Sequence, residues 1–164
     1  MKPGAHTGHV LAEALKSAGA EGTLVNHSEK RVALSTIAES VKLCADADLR
    51  SLVCADTAEA SVDVAKTLPD MVAIEPPELI GTGISISKAR PELITESIKQ
   101  IRKINRKVRI LCGAGVTTAE DVSKALELGS EGVLVASGVV KNKDPRTILQ
   151  GMANAMVLEK KNLF

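Results

Sequence analysis

One histidine and one carboxylate close two short apolar runs in this sequence: His27 ends residues 22–27, and Glu75 ends residues 71–75. A carboxylate base facing a neutral imidazole suits proton abstraction next to a carbonyl. A histidine at a strand end is by itself a hydrogen-bonded structural residue, and it is Glu75 that gives His27 a chemical partner. Pro76 and Pro77 stiffen the exit from Glu75. Glu78 is the alternative base, ranked second because it lies further into the loop and is expected to be more exposed.

Three small-residue segments also follow apolar runs: Gly81-Thr82-Gly83 in the loop that Glu75 opens, and Gly113-Ala114-Gly115 and Ala136-Ser137-Gly138 after two further runs. Without bulky side chains, backbone N–H groups approach an anion closely. Gly81, Gly115 and the Ala136-Ser137 pair are therefore candidates to cradle a phosphate near helix N-termini. The same glycines also suit plain tight turns, and composition does not separate the two readings. Residues 75–83 further read as a lid, with the prolines as a rigid hinge and Gly81-Thr82-Gly83 as a flexible one.

The elements that must position these residues alternate between two kinds. Residues 22–27, 51–55, 71–75, 108–112 and 132–136 are short and rich in Val, Leu and Ile, the pattern of buried parallel strands. Residues 10–18 carry Val10, Leu11, Ala14, Leu15 and Ala18 at helical spacing. Residues 34–45, 58–68, 92–104, 118–128 and 145–158 follow the same logic. Thr7 is the expected cap of the first helix, with Gly19 after it. Thr118 is the expected cap before Glu120 and Asp121, Gly129 closes that helix, and Asp144-Pro145 opens the last one. Strand and helix in alternation mean βαβ units and a parallel sheet, within one domain over residues 1–164. Strand count alone favours an open doubly wound sheet over a (β/α)8 barrel, which needs eight strands. In either, ligands bind at the carboxyl ends of the strands, where all these candidates sit.

Composition removes other functions. The formal net charge is +1, and there is one Phe with no Tyr or Trp. No strong field draws nucleic acid or an anionic membrane, and no aromatic platform stacks bases. Neither GxxxxGK[ST] nor a post-strand GxGxxG occurs, which speaks against a kinase or dehydrogenase. Cys44, Cys54 and Cys112 have no CxxC spacing and read as reduced, mostly buried thiols. No signal peptide and no run of about 18 apolar residues is present, so a cytoplasmic protein is expected.

Asn26-His27-Ser28-Glu29-Lys30-Arg31 resembles the N-H-S-E-x-R segment of triosephosphate isomerases. Glu75-Pro76-Pro77-Glu78-Leu79-Ile80-Gly81-Thr82-Gly83 is similar to the lid of the archaeal branch, as are Cys112-Gly113-Ala114-Gly115, Leu134-Val135-Ala136-Ser137-Gly138 and the opening Lys2-Pro3-Gly4-Ala5-His6-Thr7-Gly8. The resemblance covers nearly the whole chain, in order, and overturns the preference for an open sheet. It implies a (β/α)8 TIM barrel, incomplete, with strands four to eight of the family pattern present. It implies interconversion of dihydroxyacetone phosphate and glyceraldehyde 3-phosphate by the family's established mechanism, with Glu75 as the base and His27 as the neutral electrophile. Ile80, Gly81, Gly115, Ala136 and Ser137 become the substrate-binding positions. No metal or organic cofactor is implied, and the expected assembly is a homo-oligomer, a tetramer by resemblance.

The family's first strand, with its substrate-binding asparagine and lysine, has no match here. Lys2, Lys30 and Lys88 do not sit at the matching position, and Glu29 lacks the charged partner of the family pattern. Losing one such donor typically costs about 10²–10³-fold in rate. Two open sheet edges are expected to leave the chain poorly folded or self-associating on its own. The favoured reading is a truncated piece of an isomerase. The alternative is an inactive or fragmentary partial barrel that binds phosphate or needs a complementing chain.

Overall fold

The computed structural model describes residues 4–5 and 7–162. Five short strands, β1 (Gly22–Val25), β2 (Arg50–Ala55), β3 (Met71–Ile74), β4 (Arg109–Cys112) and β5 (Gly132–Val133), form one parallel sheet in sequential order. A doubly wound sheet reverses its strand order at a switch point, and this sheet does not. Val25 stands beside Val53, Val53 beside Val72 and Val72 beside Ile110. Because side chains alternate between faces, this row and the row of Ala55, Ile74 and Cys112 point the same way. Apart from the half-buried Val25, both rows are buried with Ile37, Val41, Val64, Ile94 and Ile101.

Those last five residues come from helices α2 (Leu34–Asp46), α3 (Ala58–Lys66) and α5 (Pro91–Ile104). Further along, α6 (Ala119–Glu127) packs on α8 (Pro145–Asn162) through a second cluster that includes Val122, Leu126 and Met152. The β-branched Val25, Val53, Val72, Ile74 and Ile110 of the helix-facing rows suit this pleated, packed surface.

The opposite face of the sheet is different. Leu24, Leu52, Met71 and Leu111 alternate with the buried rows, yet Leu24 is 50% exposed and the other three are only partly buried. The expectation that every strand is sealed on both faces therefore fails, most clearly at β1, an edge strand whose residues are exposed or half-buried throughout. Helices close one apolar face; the other is buried at Cys54 and Ala73 and open toward Leu24 at the β1 edge.

Several boundaries also differ from the sequence expectation. The first helix is α1 (Ala12–Ser17), entered from Leu11 without a side-chain cap; Thr7 lies upstream and caps nothing there. None of the residues of α1 is buried, so no packed face extends it, and a short helix gains its stability from packing. Lys2, Pro3 and His6 of the opening segment lie outside the described residues. The strands end one to three residues earlier than periodicity suggests, at Val25, Ile74 and Val133 instead of His27, Glu75 and Ala136. Two one-turn helices, α4 (Ile86–Ala89) and α7 (Ser137–Val140), and a 3-10 turn over Pro77–Leu79 are additional. The caps at the other ends agree with expectation: Thr118 and Asp121 cap each other's backbone N–H at the start of α6, and Asp144 accepts from Thr147 N–H at the start of α8.

Candidate active site

His27 is placed by the residue before it. Asn26 adopts φ +59°, a conformation that asparagine tolerates better than most residues. Its amide nitrogen donates to the Cys54 carbonyl at 2.9 Å, and its amide oxygen accepts from Val32 N–H at 3.0 Å, tying the loop to β2. Arg31 donates to the Asn26 carbonyl and pairs with Asp56 at 3.3 Å. In the loop so held, Glu29 N–H donates to His27 Nδ1 at 3.3 Å. Nδ1 is therefore the acceptor, and the proton of the neutral ring sits on Nε2. Nε2 lies 3.7 Å from Glu75 Oε2, too far for a direct hydrogen bond. The Glu29 carboxylate is exposed, 3.9 Å from Nδ1.

Glu75 continues β3 by one backbone bond, its N–H donating to the Ala55 carbonyl at 2.7 Å. It is buried, and its Oε2 has no hydrogen-bond partner among the described residues. An orphaned buried carboxylate oxygen is costly, and such groups concentrate where function requires them. Burial, and then the adjacent Glu75 carboxylate, push the Cys54 thiol well above its ordinary value, so this cysteine stays a neutral thiol behind the carboxylate.

Gly113 leaves the space that Glu75 fills: a Cβ there would stand 2.2 Å from Glu75 Cγ and 2.6 Å from Oε1. Gly113→Ala is expected to displace the carboxylate by about 1 Å and to lower any turnover about 10²-fold, the typical cost of such a misplacement. Steady-state kinetics beside a melting curve checks this. Turnover within threefold of the parent would show that the Glu75 position is not critical.

The segment after Glu75 turns sharply. Pro76 is fully buried, Pro77–Leu79 make a 3-10 turn, and Gly81 takes φ +74°. Glu78 pairs with Arg90 at 3.3 Å and lines a separate cavity with Asp56 and Glu92. It is not among the residues that line the cavity with His27, which speaks against it as the alternative base. On the next loop, Ala114 (φ +66°) and Gly115 (φ +69°) pass directly under residues 84–85, and the Ala114 carbonyl accepts from Ile86 N–H.

His27, Glu75, Ile80, Gly81, Gly115, Ala136 and Ser137 all line one cavity of about 640 Å³ at the carboxyl ends of the strands. The topology thus brings together His27, Glu75 and the candidate phosphate positions, and leaves Glu78 apart. Leu24, Glu29, Leu134 and Lys141 line the same cavity. Three contributors escaped the sequence reading: Asn26 as the anchor of His27, Gly113 as the space for Glu75, and Lys141. Only Asn26 had a local signal, as an asparagine at a strand exit. A second cavity, of about 470 Å³, lies at the other end of the sheet among Arg50, Asp70, Lys107 and Arg109. It holds no imidazole and carboxylate pair. Among the described residues no group of three His, Cys, Asp or Glu side chains is arranged to hold a metal ion, and no helix is long and apolar enough to cross a membrane.

Comparison with known proteins agrees with this geometry. The triosephosphate isomerase family model matches residues 1–152. The chain is 51% identical over 144 residues to the triosephosphate isomerase of Methanocaldococcus jannaschii, covering 88% of this chain and 66% of that protein. It is 50% identical over 153 residues to the enzyme of the same name from Methanothermus fervidus, covering 93% and 69%. It thus spans about two thirds of the length of these relatives. Among solved structures, 3-hexulose-6-phosphate synthase from Salmonella typhimurium superposes with a TM-score of 0.66 at 20% identity, over 93% of this chain and 69% of that one. Thiamine phosphate pyrophosphorylase from Pyrococcus furiosus gives 0.65 at 13% identity, over 90% and 65%. At these identities the likeness is one of fold.

Proposed function

Because this chain belongs to the triosephosphate isomerase family, we propose that it carries the proton-transfer half of a site that interconverts dihydroxyacetone phosphate and D-glyceraldehyde 3-phosphate. The observation that carries this reading is the buried, unpartnered Glu75 Oε2, 3.7 Å from the Nε2 of a histidine whose Nδ1 is already engaged. In this reading Glu75 removes a proton from the carbon next to the carbonyl and returns it to the neighbouring carbon. His27 donates its Nε2 proton toward the carbonyl oxygen and stabilises the enediolate. Ile80, Gly81, Gly115, Ala136 and Ser137 surround the phosphate through small side chains and backbone N–H groups.

The same reading makes the five strands the fourth to eighth of a (β/α)8 barrel, within one partial-barrel domain. The half-exposed leucine face supports this, since in a closed barrel such residues fill the interior. The remaining third of the relatives' length would then cover that face and bring the lysine of the family's first strand. Homo-oligomeric assembly belongs to the same proposal.

A coupled assay of glyceraldehyde 3-phosphate isomerisation tests it, run on the chain alone and with the N-terminal third of the Methanocaldococcus jannaschii relative added. Turnover that appears or rises at least about 10²-fold on addition is the expected result, the size of one lost electrostatic donor. No turnover in either arm, with a complex formed, would overturn the catalytic reading in favour of a phosphate-binding or assembly role.

A further inference from the structure

We propose that Lys141 is a substrate-binding residue of this cavity, the cation that meets the phosphoryl group; the proposal rests on the isomerase reading above. Lys141 lines the cavity, and it is the one lysine or arginine among the described lining residues. Two carboxylates, Glu29 and Glu75, line it as well. A phosphate dianion entering a cleft with two carboxylates is repelled by both, and small residues and backbone dipoles alone carry no full charge to offset them.

The local geometry aims the side chain correctly. Lys141 caps the C-terminus of the one-turn helix α7 (φ −93°, ψ −3°), and its N–H still donates to the Ser137 carbonyl one turn back at 3.1 Å. It therefore stands one turn beyond Ser137 on the same side of the helix. Side chains in a helix lean toward its N-terminus, so the long methylene stem leads back past Ser137, toward the end where Ala136 and Ser137 border the cavity. The ammonium is also uncommitted. Lys141, like Lys30, Lys99, Lys103, Lys107 and Lys143, has no ion-pair partner among the described residues, and of these it alone lines the cavity. An exposed lysine with no partner in a carboxylate-lined cleft is placed to receive an anion that arrives from solution, and its flexible stem lets it follow the phosphoryl group.

Titration calorimetry of the chain with inorganic phosphate and with glycerol 3-phosphate, at low and high salt, tests this. Parent and Lys141→Gln proteins are compared, with Lys141→Arg as the conservative variant. Lys141→Gln is expected to weaken both ligands about five- to tenfold, the scale of one exposed charge-assisted contact. Lys141→Arg is expected to stay within about twofold, and the melting curves of all three to coincide, because the side chain is exposed. Adding salt is expected to weaken the parent more than Lys141→Gln. Equal affinity of parent and Lys141→Gln, with the parent binding phosphate, would overturn the role of Lys141 and leave the isomerase reading standing. A lowered melting temperature with unchanged affinity would make Lys141 structural. No binding of either ligand to the parent would overturn the phosphate cradle and this proposal together.

Discussion

Glu75→Gln is expected to abolish turnover, by about 10³-fold or more, without loss of phosphate affinity, which holds or rises as one repelling carboxylate is removed. The amide has the shape of the carboxyl group and sits in the same space against Gly113. It cannot accept a proton at neutral pH, and a positioned base contributes about 10²–10⁴-fold. Glu75 does not belong to the small-residue loops that surround the proposed phosphate position, so ligand binding has no reason to fall. Stability is expected to hold or rise, because a neutral amide is less costly to bury than a carboxylate whose Oε2 has no partner. Three measurements on the complemented chain decide the matter: the coupled assay, phosphate titration and a melting curve. Retained turnover would move the base to another residue. Lost phosphate affinity with a normal melt would mean that Glu75 organises the binding site and does not transfer the proton.

The second large effect is structural and acts on the same cavity. Gly115→Ala is expected to destabilise the fold by about 3 kcal/mol or more, since an added Cβ would fall 1.8 Å from the Ile84 carbonyl oxygen and 2.4 Å from its carbon. That neighbour is backbone and cannot rotate away, and φ +69° adds about 1 kcal/mol of strain for any side chain. Gly81→Ala is the matched control. Its φ of +74° is as unfavourable, but nothing stands within 4 Å of the added carbon, so only the strain of about 1 kcal/mol is expected. Urea unfolding of the two variants separates steric from conformational cost. Equal stabilities would show that the loop after β4 yields freely, and that the close passage beneath residues 84–85 does not hold this side of the site.

Much of the fold was open to reading because it is written in short-range pattern. The strand cores around Val53, Val72 and Ile110, the helices α2, α3, α5, α6 and α8, and the Thr118 cap all follow from period, propensity and hydrogen bonds a few residues long. The first helix is present but shorter than its spacing suggests, for the complementary reason. Its spacing is helical, but Ala12 and Leu15 are only partly buried and no residue is fully so, and periodicity does not report how much packing surface exists.

The sequence by itself determined which residues stand at the carboxyl ends of the strands, since each of His27, Glu75, Gly115 and Ala136 follows an apolar run and precedes a helix. Tertiary structure alone decided which of them meet. Sequential strand order, with no switch point, lets His27 and Glu75 face each other across one cavity; a reversed order would have parted them. It turned Glu78 toward Arg90, placed Gly113 beneath Glu75, and brought Lys141 to the cavity that holds both carboxylates. The physical reason is range. Backbone propensity and apolar period act over a turn or a strand, whereas the orientation of a side chain in a site depends on contacts between segments far apart in the chain, which no local pattern encodes.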